Sequence, residues 1–168
     1  MKINFAILTV SDRSYRGERL DSSGPALIKA VQDQGWKVTV SGIVPDEFEL
    51  IKDQLIKWCD SDQIDVILTT GGTGFAPRDI TPEATLSIAH KIAPGFAEVM
   101  RSESLKKTPF AMLSRSVSVI RNRTLIINLP GSPGGAVENF SFVFSTIPHA
   151  IELLKEDPEA EAGHKRFI

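Results

Sequence analysis

A glycine-rich segment at residues 69–85 holds the residue types that could bind a phosphate group. It reads TTGGTGFAPRDITPEAT and places three glycines within positions 71–74. Glycines leave backbone amides bare, so an anion such as phosphate or pyrophosphate can approach them closely. Neighbouring hydroxyls and a guanidinium would add donors. The candidate phosphate-binding residues of this segment are Thr70, Gly71, Gly72, Thr73, Gly74 and Arg78.

The same segment contains Asp79, whose carboxylate could hold a divalent cation beside the phosphate. The spacing differs from a Walker A loop, which needs Gly-Lys-Ser/Thr at the start of its helix. It also differs from the dinucleotide fingerprint, because the glycine-rich turn follows the third predicted strand rather than the first. A tight strand-to-helix turn that binds no ligand remains the alternative at this point.

Two further segments follow predicted strands and could complete a site. Residues 128–136, NLPGSPGGA, form a second loop before a helix, with Pro130 and Gly131 as candidate contacts and a simple loop as the alternative. Asp46 follows another strand, where it could instead cap a helix. If the strands are neighbours, Asp46 and Asp79 approach each other. Two carboxylates facing a phosphate require a cation between them, which indicates Mg²⁺ with ATP.

Four apolar, β-branched runs predict strands at residues 3–10, 36–44, 64–70 and 124–129. The third and fourth runs are apolar almost throughout, as in a parallel sheet that is covered on both faces. Helices are predicted at residues 24–34, from 46, from 81 and over 136–154, the last with a kink at Pro148. The predicted N-caps are Ser22 or Ser23, Asp46 and Thr81.

This alternation of strands and helices predicts an α/β, doubly wound fold with a mostly parallel sheet. Residues 111–123 alternate in part and reach a turn-like Arg121-Asn122-Arg123, so they predict an added strand or small hairpin. Residues 1–155 are predicted to form a single domain, and residues 156–168 a polar tail. Ligands of such folds bind outside the carboxyl ends of the strands, where the candidate residues lie.

The composition of the 168-residue chain narrows the classes of protein. Its 19 Lys+Arg and 21 Asp+Glu give a formal net charge of -2, which argues against binding to nucleic acid or to an anionic membrane. The chain has no signal-peptide pattern and no run of about 18 apolar residues, so a cytoplasmic protein is expected. The only cysteine, Cys59, lies in an apolar helical pattern and is interpreted as a buried packing residue.

In combination, these motifs resemble the molybdopterin adenylyltransferase family, the group of MogA and the gephyrin G-domain. The resemblance lies in residues 70–85, in Pro94-Gly95-Phe96, in residues 104–105 and 108–116, and in the loop at 128–133. It extends from the first strand to about residue 154. The combination is far more specific than any single glycine-rich loop.

The resemblance implies a three-layer α/β/α sandwich that assembles as a homotrimer. It implies transfer of AMP from Mg-ATP to the phosphate of molybdopterin in molybdenum cofactor biosynthesis, giving adenylyl-molybdopterin and pyrophosphate, with a MoeA-type molybdate-insertion enzyme downstream. The family's aspartates correspond to Asp46 and Asp79, which would act in catalysis and hold Mg²⁺. Its pterin-side serine corresponds to Ser114, and Arg115 is added as a molybdopterin contact by analogy of place only.

Two other interpretations remain open from the sequence. One is a relative of the same fold, such as a MoeA molybdate-insertion domain or a CinA-like nucleotide hydrolase. The sequence Thr-Gly-Phe-Ala-Pro-Arg-Asp after the paired glycines argues against it. The other is a binding module that holds molybdopterin or scaffolds a partner without turnover. The presence of both aspartates argues against it, although presence does not prove activity.

Overall fold

The computed structural model describes residues 2–156, in which a six-stranded sheet is covered by helices on both faces. The strands are β1 (Asn4–Val10), β2 (Lys37–Val44), β3 (Val66–Thr70), β4 (Lys91–Ile92), β5 (Ser118–Arg121) and β6 (Thr124–Leu129). The α-helices are α1 (Asp12–Tyr15), α2 (Ser23–Asp33), α3 (Phe48–Cys59), α4 (Thr81–Ser87), α5 (Pro94–Leu105), α6 (Pro133–Val143) and α7 (Ile147–Leu154). Short 3-10 helices cover Pro109–Leu113 and Phe144–Thr146.

The strands lie in the order β2-β1-β3-β6-β5-β4. The first four in this order are parallel, and β5 runs antiparallel to both of its neighbours. Within the segment 111–123, only β5 is the predicted added strand, and it forms a hairpin with β6 in which Asn122 adopts a positive φ of 52° at the turn. The predicted three-layer α/β fold with a mostly parallel sheet is therefore confirmed.

The sheet has an apolar core on each face because successive side chains of a strand point to opposite sides. Phe5 and Ile7 of β1 pack in the core that α2, α5, α6 and α7 cover, whereas Ala6 and Leu8 pack in the core under α3 and α4. Every residue of β3 and β6 is buried, as their continuous apolar runs predict. β2 lies at the edge of the sheet and alternates between exposed and half-buried residues.

At α2 the predicted N-cap position of Ser22 is confirmed, although its side chain does not make the capping bond, and at α4 the predicted cap Thr81 is wrong. At α2, the carboxylate of Asp21 accepts hydrogen bonds from the amides of Ser23 and Gly24 at 3.0 and 3.1 Å, and Ser22 makes no capping bond. At α4, Ile80 occupies the N-cap position. Thr81 is the first helical residue, and its hydroxyl donates instead to a carbonyl in the glycine-rich loop.

Several other elements also differ from prediction, since α1, β4 and the 3-10 helix Pro109–Leu113 were not predicted. The helix predicted over 136–154 is two helices, α6 and α7, and the break falls just before Pro148, which lies in the first turn of α7. The sequence did not predict α5, because only Ala97 and Met100 of this helix are buried. Apart from Glu156, the predicted polar tail lies outside the described residues.

Cys59 is buried at the end of α3, as expected, and burial raises the pKa of its thiol to about 12. The thiol is therefore protonated at neutral pH and packs as an apolar group. Among residues 2–156, no helix is long and apolar enough to cross a membrane.

Candidate active site

Two adjoining cavities open at the carboxyl edge of the sheet, beside β1, β3 and β6. The β1-side cavity has a volume of about 440 Å³ and is lined by the segments that follow β1, β2, β3 and β6. The α5-side cavity has a volume of about 510 Å³ and is lined by α5, the 3-10 helix Pro109–Leu113 and the start of α6. They share a wall formed by Gly72, Asp79, Gly131 and Ser132. A ligand in each cavity would therefore meet the other at this wall.

Two residues of the glycine-rich loop after β3 have a backbone conformation that residues with side chains rarely adopt. Gly71 and Gly72 have positive φ angles of 100° and 64°. A Cβ atom on Gly71 would lie 2.2 Å from the carbonyl oxygen of Val10, and one on Gly72 would lie 2.3 Å from Oγ1 of Thr81. The loop thus passes directly against the end of β1 and the start of α4, and the amide of Gly71 donates to the carbonyl oxygen of Leu129 at 3.3 Å.

The glycine-rich loop and the loop after β6 are joined to each other. The buried Thr70 hydroxyl donates to the carbonyl oxygen of Pro130 at 2.7 Å, so this hydroxyl links the two loops. A Cβ atom on Gly131 would lie 3.2 Å from Cα of Gly71. The hydroxyl of Ser23 donates to the carbonyl oxygen of Gly131 at 2.7 Å and ties α2 to the same point. Thr73, on the other side of the loop, lines the α5-side cavity.

Asp46 is not the cap of α3, because Glu47 occupies the N-cap position. Its carboxylate instead accepts a hydrogen bond from the backbone amide of Asp12 at 2.8 Å. The backbone amide of Asp46 donates in turn to the Asp12 carboxylate at 3.0 Å. This reciprocal pair fixes the loop after β2 against the loop after β1 and holds Asp46 at the β1-side cavity.

Asp46 and Asp79 both line the β1-side cavity, so the structure brings the two predicted aspartates to one site. Burial raises the pKa of the Asp46 carboxyl, an effect opposed by the Asp12 amide and increased by the negative charges of Asp12 and Asp79. By contrast, the hydrogen bond from Arg78 holds the pKa of Asp12 below its ordinary value. Negative charge at Asp46 is therefore only partly compensated, as in a site that receives a cation.

These opposite shifts predict opposite effects of neutralising the two carboxylates. Because folding raises the Asp46 pKa, ionised Asp46 destabilises the native state above the pKa of the unfolded chain. Asp46→Asn should therefore raise the free energy of unfolding at pH 7, and the gain should shrink as the pH falls through the raised pKa. Asp12→Asn should lower the free energy of unfolding at pH 7. The depressed pKa of Asp12 contributes stability that is lost only as the pH falls through this pKa in acid. Urea denaturation as a function of pH measures the change in each variant. If both substitutions changed the free energy of unfolding in the same direction, the opposite pKa shifts of Asp46 and Asp12 would be contradicted.

Arg78 contacts Asp12 rather than the wall of either cavity. Its Nε and terminal nitrogen donate to the Asp12 carboxylate at 2.5 and 2.9 Å, and its side chain is 59% exposed. In this position Arg78 neutralises the carboxylate that holds Asp46. Its contact with a phosphate stays a prediction.

Ser114 and Arg115 lie at different sides of the glycine-rich loop. Ser114 lines the α5-side cavity, and its hydroxyl lies 3.1 Å from the hydroxyl of Ser116. Arg101 on α5 donates to the carbonyl oxygens of Ser114 and Ser116 at 3.4 and 2.8 Å and fixes this segment. Arg115 is not among the residues that line the α5-side cavity.

The Arg115 guanidinium instead clamps the glycine-rich loop to α4. It donates to the carbonyl oxygens of Gly74 and Asp79 at 2.6 and 2.7 Å and pairs with Glu83. Its backbone amide donates to the carbonyl oxygen of Thr73 at 2.9 Å. The side chain therefore supports the loop that carries Asp79, and its contact with molybdopterin stays a prediction.

Arg115→Lys should weaken this clamp, because an ammonium cannot reproduce the fork that reaches separate acceptors. We expect the free energy of unfolding to fall by about 1–3 kcal/mol, as carbonyl groups lose a charged donor. Urea denaturation measures the change. Arg123→Lys is the control, because Arg123 is exposed and, among residues 2–156, pairs only with Glu156 at 3.7 Å. A loss no larger than that of the control would contradict the clamp.

The sequence did not identify the residues that α5 and α6 contribute. Arg101, Ser104 and Asn139 line the α5-side cavity, and Oγ of Ser104 lies 3.4 Å from Oδ1 of Asn139. A weak sequence signal for α5 was present. Ala97, Met100 and Ser104 recur at helical spacing after Pro94, a residue suited to a first helical turn.

Comparison with known proteins shows which family the chain belongs to. The family model described as "Probable molybdopterin binding domain" matches residues 6–149. The chain belongs to this family. The matched range contains all strands of the sheet except the start of β1, and both cavities.

Individual relatives agree with this membership. The chain is 46% identical over 154 residues to the molybdopterin adenylyltransferase of Helicobacter pylori, which covers 90% of this chain and 88% of that protein. It is 44% identical to the molybdenum cofactor synthesis protein cinnamon of Drosophila melanogaster, over 92% of this chain but 26% of that protein, so it spans about a quarter of this longer relative. The crystal structure of the molybdopterin biosynthesis enzyme MoaB from Thermus thermophilus superposes with a TM-score of 0.87 at 47% identity, covering 92% of this chain and 98% of that one.

Proposed function

We propose that the chain is a molybdopterin adenylyltransferase of molybdenum cofactor biosynthesis. It transfers AMP from Mg-ATP to the terminal phosphate of molybdopterin and releases pyrophosphate. The observation that carries this proposal is the pair of adjoining cavities with Asp79 and Gly72 in their shared wall. A reaction between two bound phosphates needs two ligands whose reacting ends meet. The description of the matched family supports molybdopterin as one of them, and the name of the Helicobacter pylori adenylyltransferase supports ATP as the other.

The reaction is a substitution at phosphorus. A phosphate oxygen of molybdopterin attacks the α-phosphorus of ATP, a new P–O bond forms, and the bond to the bridging oxygen breaks with its electron pair leaving on pyrophosphate. The attacking phosphate is already anionic near neutral pH, so a strong general base is not required. The protein contributes orientation and charge compensation. The amide of Gly72, in the shared wall, would bind the ATP phosphates, because the Gly71 amide already donates to the carbonyl oxygen of Leu129 and Gly74 lines only the α5-side cavity of the two. Ser114 would anchor the pterin end.

Asp46 and Asp79 would hold Mg²⁺ and orient the nucleotide. Bound Mg²⁺ would neutralise charge on the phosphates as the leaving group departs. Residues 2–156 contain no group of three or more His, Cys, Asp or Glu suited to a metal. A set of two carboxylates fits Mg²⁺, which commonly binds one or two carboxylates and completes its shell with substrate phosphates and water.

The test is a direct assay of the purified protein with molybdopterin, ATP and Mg²⁺. Adenylyl-molybdopterin and an equal amount of pyrophosphate, detected by mass spectrometry and a coupled pyrophosphate assay, are the expected products. Tight molybdopterin binding without product would instead identify a binding or scaffolding module. Omission of Mg²⁺ should abolish turnover.

The proposal extends to the setting of the enzyme. From the family resemblance, we expect the chain to form a homotrimer in the cytoplasm. We also expect it to deliver its product to a MoeA-type molybdate-insertion enzyme. Sedimentation analysis of the purified chain tests the trimer, and a coupled assay with the insertion enzyme tests the delivery.

A further inference from the structure

The β1-side cavity contains more negative than positive charge before any nucleotide binds. Asp21, Asp46 and Asp79 line it, and Arg19 is the one basic residue among the described residues that do so. A triphosphate remains anionic even with one Mg²⁺ bound. A cation of the protein in this cavity would therefore offset the repulsion between the phosphates and these carboxylates.

Arg19 lies on the segment between α1 and α2, which turns back beside the end of β1. The backbone amides of Glu18 and Arg19 both donate to the carbonyl oxygen of Arg13, at 2.9 and 3.3 Å, and close this segment into a compact loop. A terminal nitrogen of Arg19 lies 3.4 Å from Oγ of Ser11. This contact directs the guanidinium toward the cavity that Ser11 also lines.

The guanidinium of Arg19 is available, unlike those of two neighbouring arginines. Within residues 2–156, no carboxylate lies within 4.0 Å of it, and its long contact with Ser11 is the only side-chain hydrogen bond it makes. Arg16 pairs with Glu18 at 2.7 Å, and Arg78 pairs with Asp12. A guanidinium can bind two phosphate oxygens at once, and its fork suits this geometry.

We infer that Arg19 binds the β- and γ-phosphates of ATP, the part that leaves as pyrophosphate; this rests on the proposed function. Arg19 lines the β1-side cavity alone and not the wall shared with the α5-side cavity. The α-phosphorus must lie at the shared wall to meet the second substrate. Arg19 therefore contacts the far end of the triphosphate and stabilises the charge that develops on the leaving group.

The experiment compares binding of Mg-pyrophosphate, Mg-ATP and AMP by calorimetry in the wild-type protein and in Arg19→Ala. Loss of a charged, bidentate contact should weaken binding of pyrophosphate and ATP by about 10- to 100-fold. Binding of AMP, which lacks these phosphates, should not change. Arg19→Lys should restore part of the affinity. Arg16→Ala, which removes the same charge from the same loop, is the control and should bind all three ligands as the wild type does.

The outcomes separate this inference from the proposed function. Unchanged pyrophosphate affinity in Arg19→Ala, or an equal loss for AMP, overturns the role of Arg19 even if the wild type is fully active. Arg19-dependent pyrophosphate binding in a protein that forms no adenylyl-molybdopterin supports the inference and overturns the proposed reaction. A wild-type protein that binds neither ATP nor pyrophosphate overturns both. The melting temperature of each variant shows whether it is folded.

Discussion

Asp79→Asn should reduce the rate of adenylyl-molybdopterin formation by about a thousandfold, with molybdopterin binding largely intact. The substitution keeps the shape of the side chain, and an asparagine oxygen can still accept the hydrogen bond from the amide of Ala76, now 3.0 Å from the carboxylate. What disappears is a negative charge in the wall between the two cavities, where the proposed Mg²⁺ and the reacting phosphates meet.

Product formation is measured in single-turnover experiments, and molybdopterin binding by fluorescence quenching. Asp33→Asn is the matched control, because Asp33 is an exposed helical aspartate that pairs with Lys29 alone in the described part of the chain. Its activity should equal that of the wild type. Loss of molybdopterin binding in a folded Asp79→Asn protein would overturn the assignment of Asp79 to the nucleotide and metal.

Gly71→Ala should lower the free energy of unfolding by about 3 kcal/mol or more, because the added methyl group meets backbone rather than a movable side chain. The Cβ would lie 2.2 Å from the Val10 carbonyl oxygen, and φ is 100°, a conformation that L side chains rarely adopt. β1 and β3 are paired along their length, so neither strand can move away without breaking the centre of the sheet.

Urea denaturation followed by circular dichroism measures this loss. Gly134→Ala is the control within the same set of loops and helices, because no atom of the described residues comes within 4 Å of its added Cβ and the residue is in α6. Alanine in a helix should stabilise this variant by up to about 1 kcal/mol. A Gly71→Ala protein as stable as the wild type would show that the loop relaxes without cost.

The sequence predicted β3 and β6 well because their burial is continuous. β3 and β6 are buried on both faces, so nearly every position is apolar or β-branched, and no knowledge of distant residues is needed. The position of the site followed from the same reasoning, since loops at the carboxyl ends of parallel strands must share an edge.

Side-chain partners could not be predicted because they come from distant parts of the chain. Asp46 resembles a helix cap locally, yet its partner Asp12 lies 34 residues away. Thr70 resembles a phosphate donor, but its hydroxyl meets Pro130, 60 residues later. Arg78 is another such case: the residue types near it suggest a phosphate, whereas the fold places it on Asp12, 66 positions earlier. The local sequence shows which chemical group a residue carries, but it does not show which distant residue that group will contact in the fold.

The crowded glycines of this edge affect how genetic screens of the protein should be read. Gly72 has no room for a Cβ because Oγ1 of Thr81 would lie 2.3 Å away, and Gly131 lies against the backbone of Gly71. Substitutions at Gly72 would be depleted in a growth selection even if no ligand ever contacted the residue, and a Cβ on Gly131, 3.2 Å from Cα of Gly71, would require the backbone to shift. If a variant is lost from such a screen, the loss can be attributed to impaired substrate binding only when the amount of folded protein has been measured in the same variant.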